Sequence, residues 1–333
     1  MPANGLDILA IGNAIVDVLS RTDEAFLTGQ SLAKGTMALI DEDRAEILYG
    51  LVGSATVVSG GSAANTAVGA ALLGASVGFV GKVRDDELGR LFAHDLNAVG
   101  VAYGTVPATS GPATARSFVL VTPDGERTMN TYLGACQSLG VRDLDEATVA
   151  SARTVYLEGY LWDPPAAKDA FRRAVAIAHG AGHAVALSLS DPFCVDRYRG
   201  EFLALLRDGS VDLLFANVSE VKSLYETADE ETALAALRAE GVRAAVTRSA
   251  DGALLVTGGG IEAVPASPVE KVVDTTGAGA LFAAGFLAGA ARGLSPRDCA
   301  RLGGLAAAEV IGHLGARPQA DLAGLARAEG LLR

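Results

Sequence analysis

Val273-Asp274-Thr275-Thr276-Gly277-Ala278-Gly279-Ala280-Leu281-Phe282 runs without a break into Ala283-Ala284-Gly285-Phe286-Leu287-Ala288-Gly289. The opening reads as a short extended stretch, Gly-Ala-Gly as a tight turn, and the small-residue run as a helix. A turn of this kind aims several backbone N–H groups and the positive end of the helix at one point, which makes an anion hole. Glycine is needed because a Cβ would block either the turn or the close approach of the anion. Taken alone, the same glycines would serve a tight turn and close helix packing equally well. A second loop, Gly60-Gly61-Ser62-Ala63-Ala64-Asn65, stands before another helical run, with Ser62 as its candidate cap. Other phosphate motifs fail. Gly81-Lys82 lacks the upstream glycine and the following Ser or Thr of a P-loop. Gly258, Gly260 and Ala263 have the spacing of a dinucleotide fingerprint, but Glu262 to Pro265 cannot open a helix, which disfavours a nicotinamide-dependent oxidoreductase.

Outward from these loops, short β-type runs alternate with longer helical patterns, which predicts an α/β fold with a mainly parallel sheet covered on both faces. Ile8 to Gly12 opens the series. Thr56–Val58, Val77–Gly81, Thr154–Leu157, Ala184–Leu189, Leu213–Ala216 and Ala244–Val246 continue it. Ala64–Leu73, Glu87–Val99, Ala166–Ala181 and Glu231–Glu240 are the crossover helices. From Val101 to Thr131 the rhythm breaks into polar and apolar alternation around Pro123-Asp124-Gly125-Glu126, which predicts a hairpin projecting from one main domain as a β-lid. The 333 residues are 50% hydrophobic, enough for one large core or two modest ones. A net charge of −12 excludes the clustered basic surface that nucleic acid requires, so the expected ligand is small. Cys136, Cys194 and Cys299 are too far apart for a metal motif or a disulfide framework and read as buried thiols. His94, His179, His183 and His313 lack metal spacing too. No stretch reaches about 18 uninterrupted apolar residues, and Met1 to Leu9 lacks the pattern of a signal peptide. A soluble cytoplasmic protein with no membrane partner is expected.

Together the two glycine loops, with Gly81, Asp85, Asp86 and Gly89 continuing the first, resemble the two signatures of the ribokinase-like (PfkB-type) kinase family over essentially the whole chain. The resemblance implies a three-layer αβα sandwich with a small β-lid, formed from about residues 14–50 and 101–135 of a single domain spanning 1–333. It implies transfer of the ATP γ-phosphoryl group to a hydroxyl with Mg²⁺, and allows a monovalent cation (K⁺). It assigns Gly277, Ala278 and Gly279 to the anion hole, Gly279 also to ATP, and Asn13, Asp17, Gly61 and Asn65 to the acceptor. A carboxylate such as Asp17 suits a vicinal diol because it accepts from both hydroxyls. Asn217 and Glu220 match an Asn-x-x-Glu motif that orders water and Mg²⁺, so Glu220 would act through water and no direct metal ligand is assigned. Without the resemblance, Glu220 reads as an exposed helix charge. Thr247 and Gly252 match an ATP-side Thr-x-Gly-x-x-Gly pattern, except that Ser249 replaces its middle glycine. Arg127, near the lid turn, is a candidate phosphate contact.

The resemblance departs at Ala280, where related kinases have the Asp that accepts the proton of the attacking hydroxyl. Alanine cannot do this. With Asp274 to Gly279, Asn217 and Glu220 all in pattern, the expectation is an otherwise competent kinase, inactive or crippled by an Asp-to-Ala exchange. Gly12-Asn13 with Asp17, and Leu187-Ser188-Leu189-Ser190-Asp191-Pro192-Phe193, look closer to adenosine kinases than to sugar kinases. A nucleoside acceptor phosphorylated at its 5′-hydroxyl is expected, adenosine before guanosine or inosine, by a monomer or homodimer. Phe118, Leu120, Tyr132 and Trp162 are candidate base-facing groups. The alternatives are a sugar kinase of ribose or fructose type and a non-catalytic nucleoside- or ATP-binding pseudokinase.

Overall fold

Leu6–Ile11 and Val77–Val80 are apolar on both faces, too short for helices, and bounded by turn residues, which suits strands covered from both sides. In the computed structural model, which describes residues 5–333, they pair in parallel inside a nine-stranded sheet. In chain order the strands are β1 (Leu6–Ile11), β2 (Ile15–Arg21), β3 (Met37–Leu39), β4 (Ala55–Gly60), β5 (Val77–Val80), β6 (Ala102–Tyr103) and β7 (Ala115–Val121). Then follow β8 (Arg127–Tyr132), β9 (Ala152–Glu158), β10 (Ala184–Ser188), β11 (Leu213–Asn217), β12 (Arg243–Thr247), β13 (Ala253–Thr257) and β14 (Gly260–Val264). The large sheet has the order β14-β13-β12-β11-β10-β9-β1-β5-β6 and is parallel except at β13 and β14. Side chains of β1 alternate between its two faces. Leu6, Leu9 and Ile11 pack with the helices Pro165–Gly180, Pro192–Arg207 and Glu230–Ala239. Ile8 and Ala10 pack with Ser62–Leu72, Ala278–Ala291 and Pro296–Val310. These are the three layers of the ribokinase-like α/β sandwich.

A second sheet has the order β3-β8-β7-β2-β4. Two expectations are corrected here. The Thr56–Val58 run belongs to this sheet, antiparallel to β2, and not to the parallel series. The segment beginning at Val101 gives its first strand, β6, to the edge of the large sheet, so the hairpin is only β7 and β8, closed by Gly125 at φ 83°. The outer face of the second sheet is covered by helices Glu24–Gly29 and Glu42–Leu51, which bury Val18, Leu27, Ala45, Leu48, Phe118, Leu120 and Tyr132. By strand alternation, Asp17, Leu19, Ser117, Val119, Met129 and Thr131 face the other way, toward the large sheet.

The helix Ala278–Ala291 is apolar all round and buried from Ala280 to Gly289, as a helix at the centre of its layer must be. Its neighbours approach through glycine. A Cβ on Gly69 would lie 2.5 Å from Leu281 Cδ1, and one on Gly285 would lie 2.5 Å from the Leu302 carbonyl oxygen. Gly285→Ala therefore pushes against backbone and should cost about 1–3 kcal/mol, the range for overpacked cores. Gly180→Ala, with open space at its Cβ, should be neutral or stabilising by less than about 1 kcal/mol. Urea denaturation of the two variants measures the contrast, and equal effects would mean that the seam is not tightly packed.

Candidate active site

The Ser59–Asn65 turn and the Gly12–Ala14 crossing meet at the carboxyl ends of the central strands, where open α/β sheets bind ligands. Glu158, the last residue of β9, joins them: its carboxylate accepts from the Asn13 amide at 2.7 Å and the Ala63 amide at 2.9 Å. It is 1% exposed, and burial pushes its carboxyl up to about 7 against the pull of those amides. Sequence reasoning missed Glu158; the signal was a lone acid ending the run Val155-Tyr156-Leu157 of a central strand. Gly60 admits Asp17, because a Cβ there would lie 2.2 Å from Asp17 Oδ2. Gly61 has φ 91° and is itself the helix N-cap, so Ser62 is the first helical residue and not the expected cap. The Oδ1 atoms of Asn13 and Asn65 are buried without a hydrogen-bond partner, a cost that a hydroxyl-bearing ligand would remove.

Asp17 lies mid-β2 on the face turned to the large sheet. Burial pushes its carboxyl up to about 7, with Arg317 opposing the rise and Asp274 adding to it. Across the same face the Ser117 and Thr131 hydroxyls are 2.8 Å apart, and Leu39 and Met37 at its edge are exposed. The four expected base-facing groups are elsewhere. Phe118, Leu120 and Tyr132 point into the outer cluster of the second sheet, and Trp162 is buried between Phe171 and Phe202 in the opposite helical layer. The pleat phase of β7 was not readable from its sequence, because Phe118-Val119-Leu120-Val121 is an unbroken apolar run and the strand is buried throughout.

At the other end of the site, Asp274 is buried and fully engaged. It accepts from the Thr276 amide at 2.7 Å, the Gly315 amide at 2.9 Å and Arg127 Nη1 at 2.5 Å. Arg127 also donates to Thr275 Oγ1 at 3.1 Å, so β8 of the second sheet is tied directly to this loop. Gly277 is left-handed at φ 81° and a Cβ on it would meet Ala316 at 2.6 Å, two independent reasons for glycine. The helix that follows has no side-chain cap, which leaves first-turn amides open to an anion. Ala278 is partly withdrawn from that role, since its amide donates to the Thr275 carbonyl at 3.3 Å. Gly279 has open space where a Cβ would stand, and Thr276 Oγ1 is buried without a partner. The side chain of Ala280 is a buried methyl at the third helical position.

The pfkB family carbohydrate kinase model matches residues 35–322. The chain belongs to the pfkB family of kinases. An ATP-dependent ribose-1-phosphate kinase of Halopiger xanaduensis is 35% identical to it over 231 residues, 69% of this chain and 72% of that one. A probable sugar kinase from Rhizobium etli CFN 42 superposes with a TM-score of 0.93 at 50% identity, covering 99% of this kinase and 100% of that chain. An adenosine kinase from Sinorhizobium meliloti gives 0.91 at 53% identity, covering 97% and 99%. This protein is thus a sugar or nucleoside kinase of a family that uses ATP.

The kinase's remaining motif residues lie at the ends of β11 and β12. Asn217 and Glu220 form a reciprocal capping box: Asn217 Oδ1 accepts from the Glu220 amide at 2.9 Å, and Glu220 Oε2 accepts from the Asn217 amide at 2.9 Å. Glu220 is 4% exposed, which overturns its reading as an exposed helix charge, and burial pushes it up to about 7, with Asp191 adding to the rise. Thr247 ends β12, and Gly252 at φ 84° has no room for a Cβ, which would lie 2.1 Å from the Val264 carbonyl oxygen. Ser249 adopts φ 52°, so the residue that replaces the motif glycine takes a glycine-like conformation. Among the described residues no helix is long and apolar enough to cross a membrane.

A carboxyl raised by folding binds more protons in the folded state between about 4.5 and 7, so it costs stability as pH rises through that window. Glu158→Gln removes this cost. The stability difference, variant minus wild type, should therefore increase from pH 5 to pH 8 in urea denaturation without ligand. Parallel pH curves would show that Glu158 does not titrate there.

Proposed function

We propose that this kinase transfers the γ-phosphoryl group of ATP to the 5′-hydroxyl of a nucleoside, adenosine before guanosine or inosine. The observation that carries the reading is the acceptor cluster: Asp17, held against Gly60, beside the two unpartnered Oδ1 atoms of Asn13 and Asn65. Three hydrogen-bond acceptors suit an uncharged polyol such as the ribose of a nucleoside. A phosphate-bearing acceptor would meet the charge of Asp17. Likeness to an adenosine kinase over nearly the full length of both chains adds to this support. The sugar reading draws on the ribose-1-phosphate kinase and probable sugar kinase relatives.

In this reading Gly277, Gly279 and Ala280 present amides to the transferred phosphoryl group, and Arg127 faces the same place from β8. Thr247 and Gly252 border the rest of ATP. Asn217 and Glu220 would hold Mg²⁺ through water, and the ion would supply charge neutralisation to the phosphates of ATP. The polar face of the second sheet acts as a lid that excludes water over the acceptor. The proton of the attacking hydroxyl needs an acceptor, and the Ala280 methyl cannot supply one. The chain therefore binds its substrates and turns them over poorly.

Ala280→Asp should raise the initial rate of adenosine phosphorylation by about 10²–10⁴-fold at saturating ATP and Mg²⁺, the range for general-base catalysis. Nucleotide affinity should change little, because backbone amides do not depend on the side chain. A folded variant that binds both substrates yet gains less than about tenfold would remove Ala280 from the base position. Asp17→Ala should weaken adenosine binding by about 1.5–3 kcal/mol in calorimetry and leave ATP binding intact. Tighter binding of ribose or ribose-1-phosphate than of adenosine would favour the sugar reading instead.

A further inference from the structure

Arg317 belongs to none of the glycine loops or kinase motifs. It follows helix Pro296–Val310 in the C-terminal segment, 258 positions from its main partner, Ser59. Its Nε donates to the Ser59 carbonyl at 2.8 Å, Nη2 to Ser59 Oγ at 2.9 Å, and Nη1 to the Ala64 carbonyl at 3.3 Å. Ser59 is gripped from its other side too, since its amide donates to Asp95 Oδ2 at 2.9 Å. Ser59 immediately precedes Gly60-Gly61, and Ala64 immediately precedes Asn65. One planar guanidinium thus clamps both ends of the turn against which Asp17 rests.

All three bonds go to uncharged acceptors, so the Arg317 charge is not consumed by a direct ion pair. Asp17 faces it from β2 and Asp95 from helix Glu87–Ala98. Asp274 faces Asp17 from the anion loop and is itself paired with Arg127 of β8. Among the described residues, Arg317 is the cation that favours the ionised form of Asp17, opposing burial and Asp274.

We propose that Arg317 is a positioning residue for the acceptor, fixing the Ser59–Gly61 turn and keeping Asp17 charged so that it accepts from the polyol hydroxyls. The proposal rests on the reading of Asp17 as an acceptor ligand. Both functions come from one side chain, but substitution separates them. Arg317→Gln removes the charge; Arg317→Lys keeps the charge and loses the fork.

The test is calorimetric titration of the full-length chain with adenosine, and with ribose in parallel, from pH 6 to pH 9, with ATP titration as the control for folding. Wild-type acceptor affinity should rise through about pH 7 and then level off, following the ionisation of Asp17. In Arg317→Gln the rise should shift to about pH 8, so binding is about fivefold weaker at pH 7, nearly tenfold weaker at pH 6, and recovers by pH 9. In Arg317→Lys the inflection should stay in place, with affinity about 2- to 10-fold lower at every pH for the lost hydrogen bonds. A loss in Arg317→Gln that is the same at every pH, or no loss, overturns the electrostatic role. If that variant does not fold, an inflection displaced by a unit in Arg317→Lys, where the charge is retained, overturns it equally. Asp17→Asn separates this failure from failure of the underlying reading. Unaltered acceptor binding in Asp17→Asn removes Asp17 from the site, whereas lost binding there with a pH-independent Arg317→Gln defect removes only Arg317.

Discussion

The Thr66 hydroxyl donates to the Ala280 carbonyl at 3.0 Å, and a few residues on, Gly69 lets the helix Ser62–Leu72 sit directly on Leu281 and Ala284. This contact fixes the distance between the two loops that make the site. One helix begins at the Gly60-Gly61 turn and the other at Gly277, so on the proposed reading their packing sets the gap between an acceptor hydroxyl and a phosphoryl group. Loops rarely hold such a gap by themselves, and two helices docked through a glycine-lined seam do. Gly285 and Gly303 extend the seam to helix Pro296–Val310, whose C-terminal end leads into the segment carrying Gly315 and Arg317. Packing, anion loop and acceptor turn belong to one packed unit.

On that unit the kinase places more buried charge than stability favours. Burial raises Asp17, Glu158 and Glu220 alike toward neutrality. Each is held by a specific arrangement: Glu158 by two amides, Glu220 by its capping box, Asp17 by a nearby cation. Perturbed carboxyls, Glu158 and Glu220 at the carboxyl edge of the large sheet and Asp17 within β2, are a physical mark of a functional site, independent of any motif. Asp274 differs in being satisfied by two amides and Arg127, which suits it to organise the loop.

Much of this was readable in the sequence, for identifiable reasons. The glycine loops announce themselves because left-handed backbone at Gly61, Gly252 and Gly277 leaves few residue choices. The α/β alternation is legible because buried parallel strands are short apolar runs separated by long helices. What was lost is long-range or depends on phase. Thr-Val-Val at 56–58 reads alike in either sheet, and only its partner β2 decides. Phe118 and Leu120 lie in a strand that is buried throughout, so no polar alternation shows which face they take. Glu158 and Arg317 act on turns 95 and 258 residues away, and no local pattern marks such pairs.

The two sheets are joined on the N-terminal side by very short passages: Gly12-Asn13-Ala14 between β1 and β2, and Gly61 between β4 and its helix. These lie side by side, with the Asn13 carbonyl where a Gly61 Cβ would otherwise be. If the second sheet closes over the site as a lid, as proposed, these passages are two of the points about which it turns. On the proposed reading, Asn13 and Gly61 are then both acceptor ligands and pivot. In that reading, a molecule settling on Asn13 would stiffen the pivot itself, so the work of shutting the cleft would be drawn from the first contacts the guest makes, with no separate relay between the pocket and the moving part.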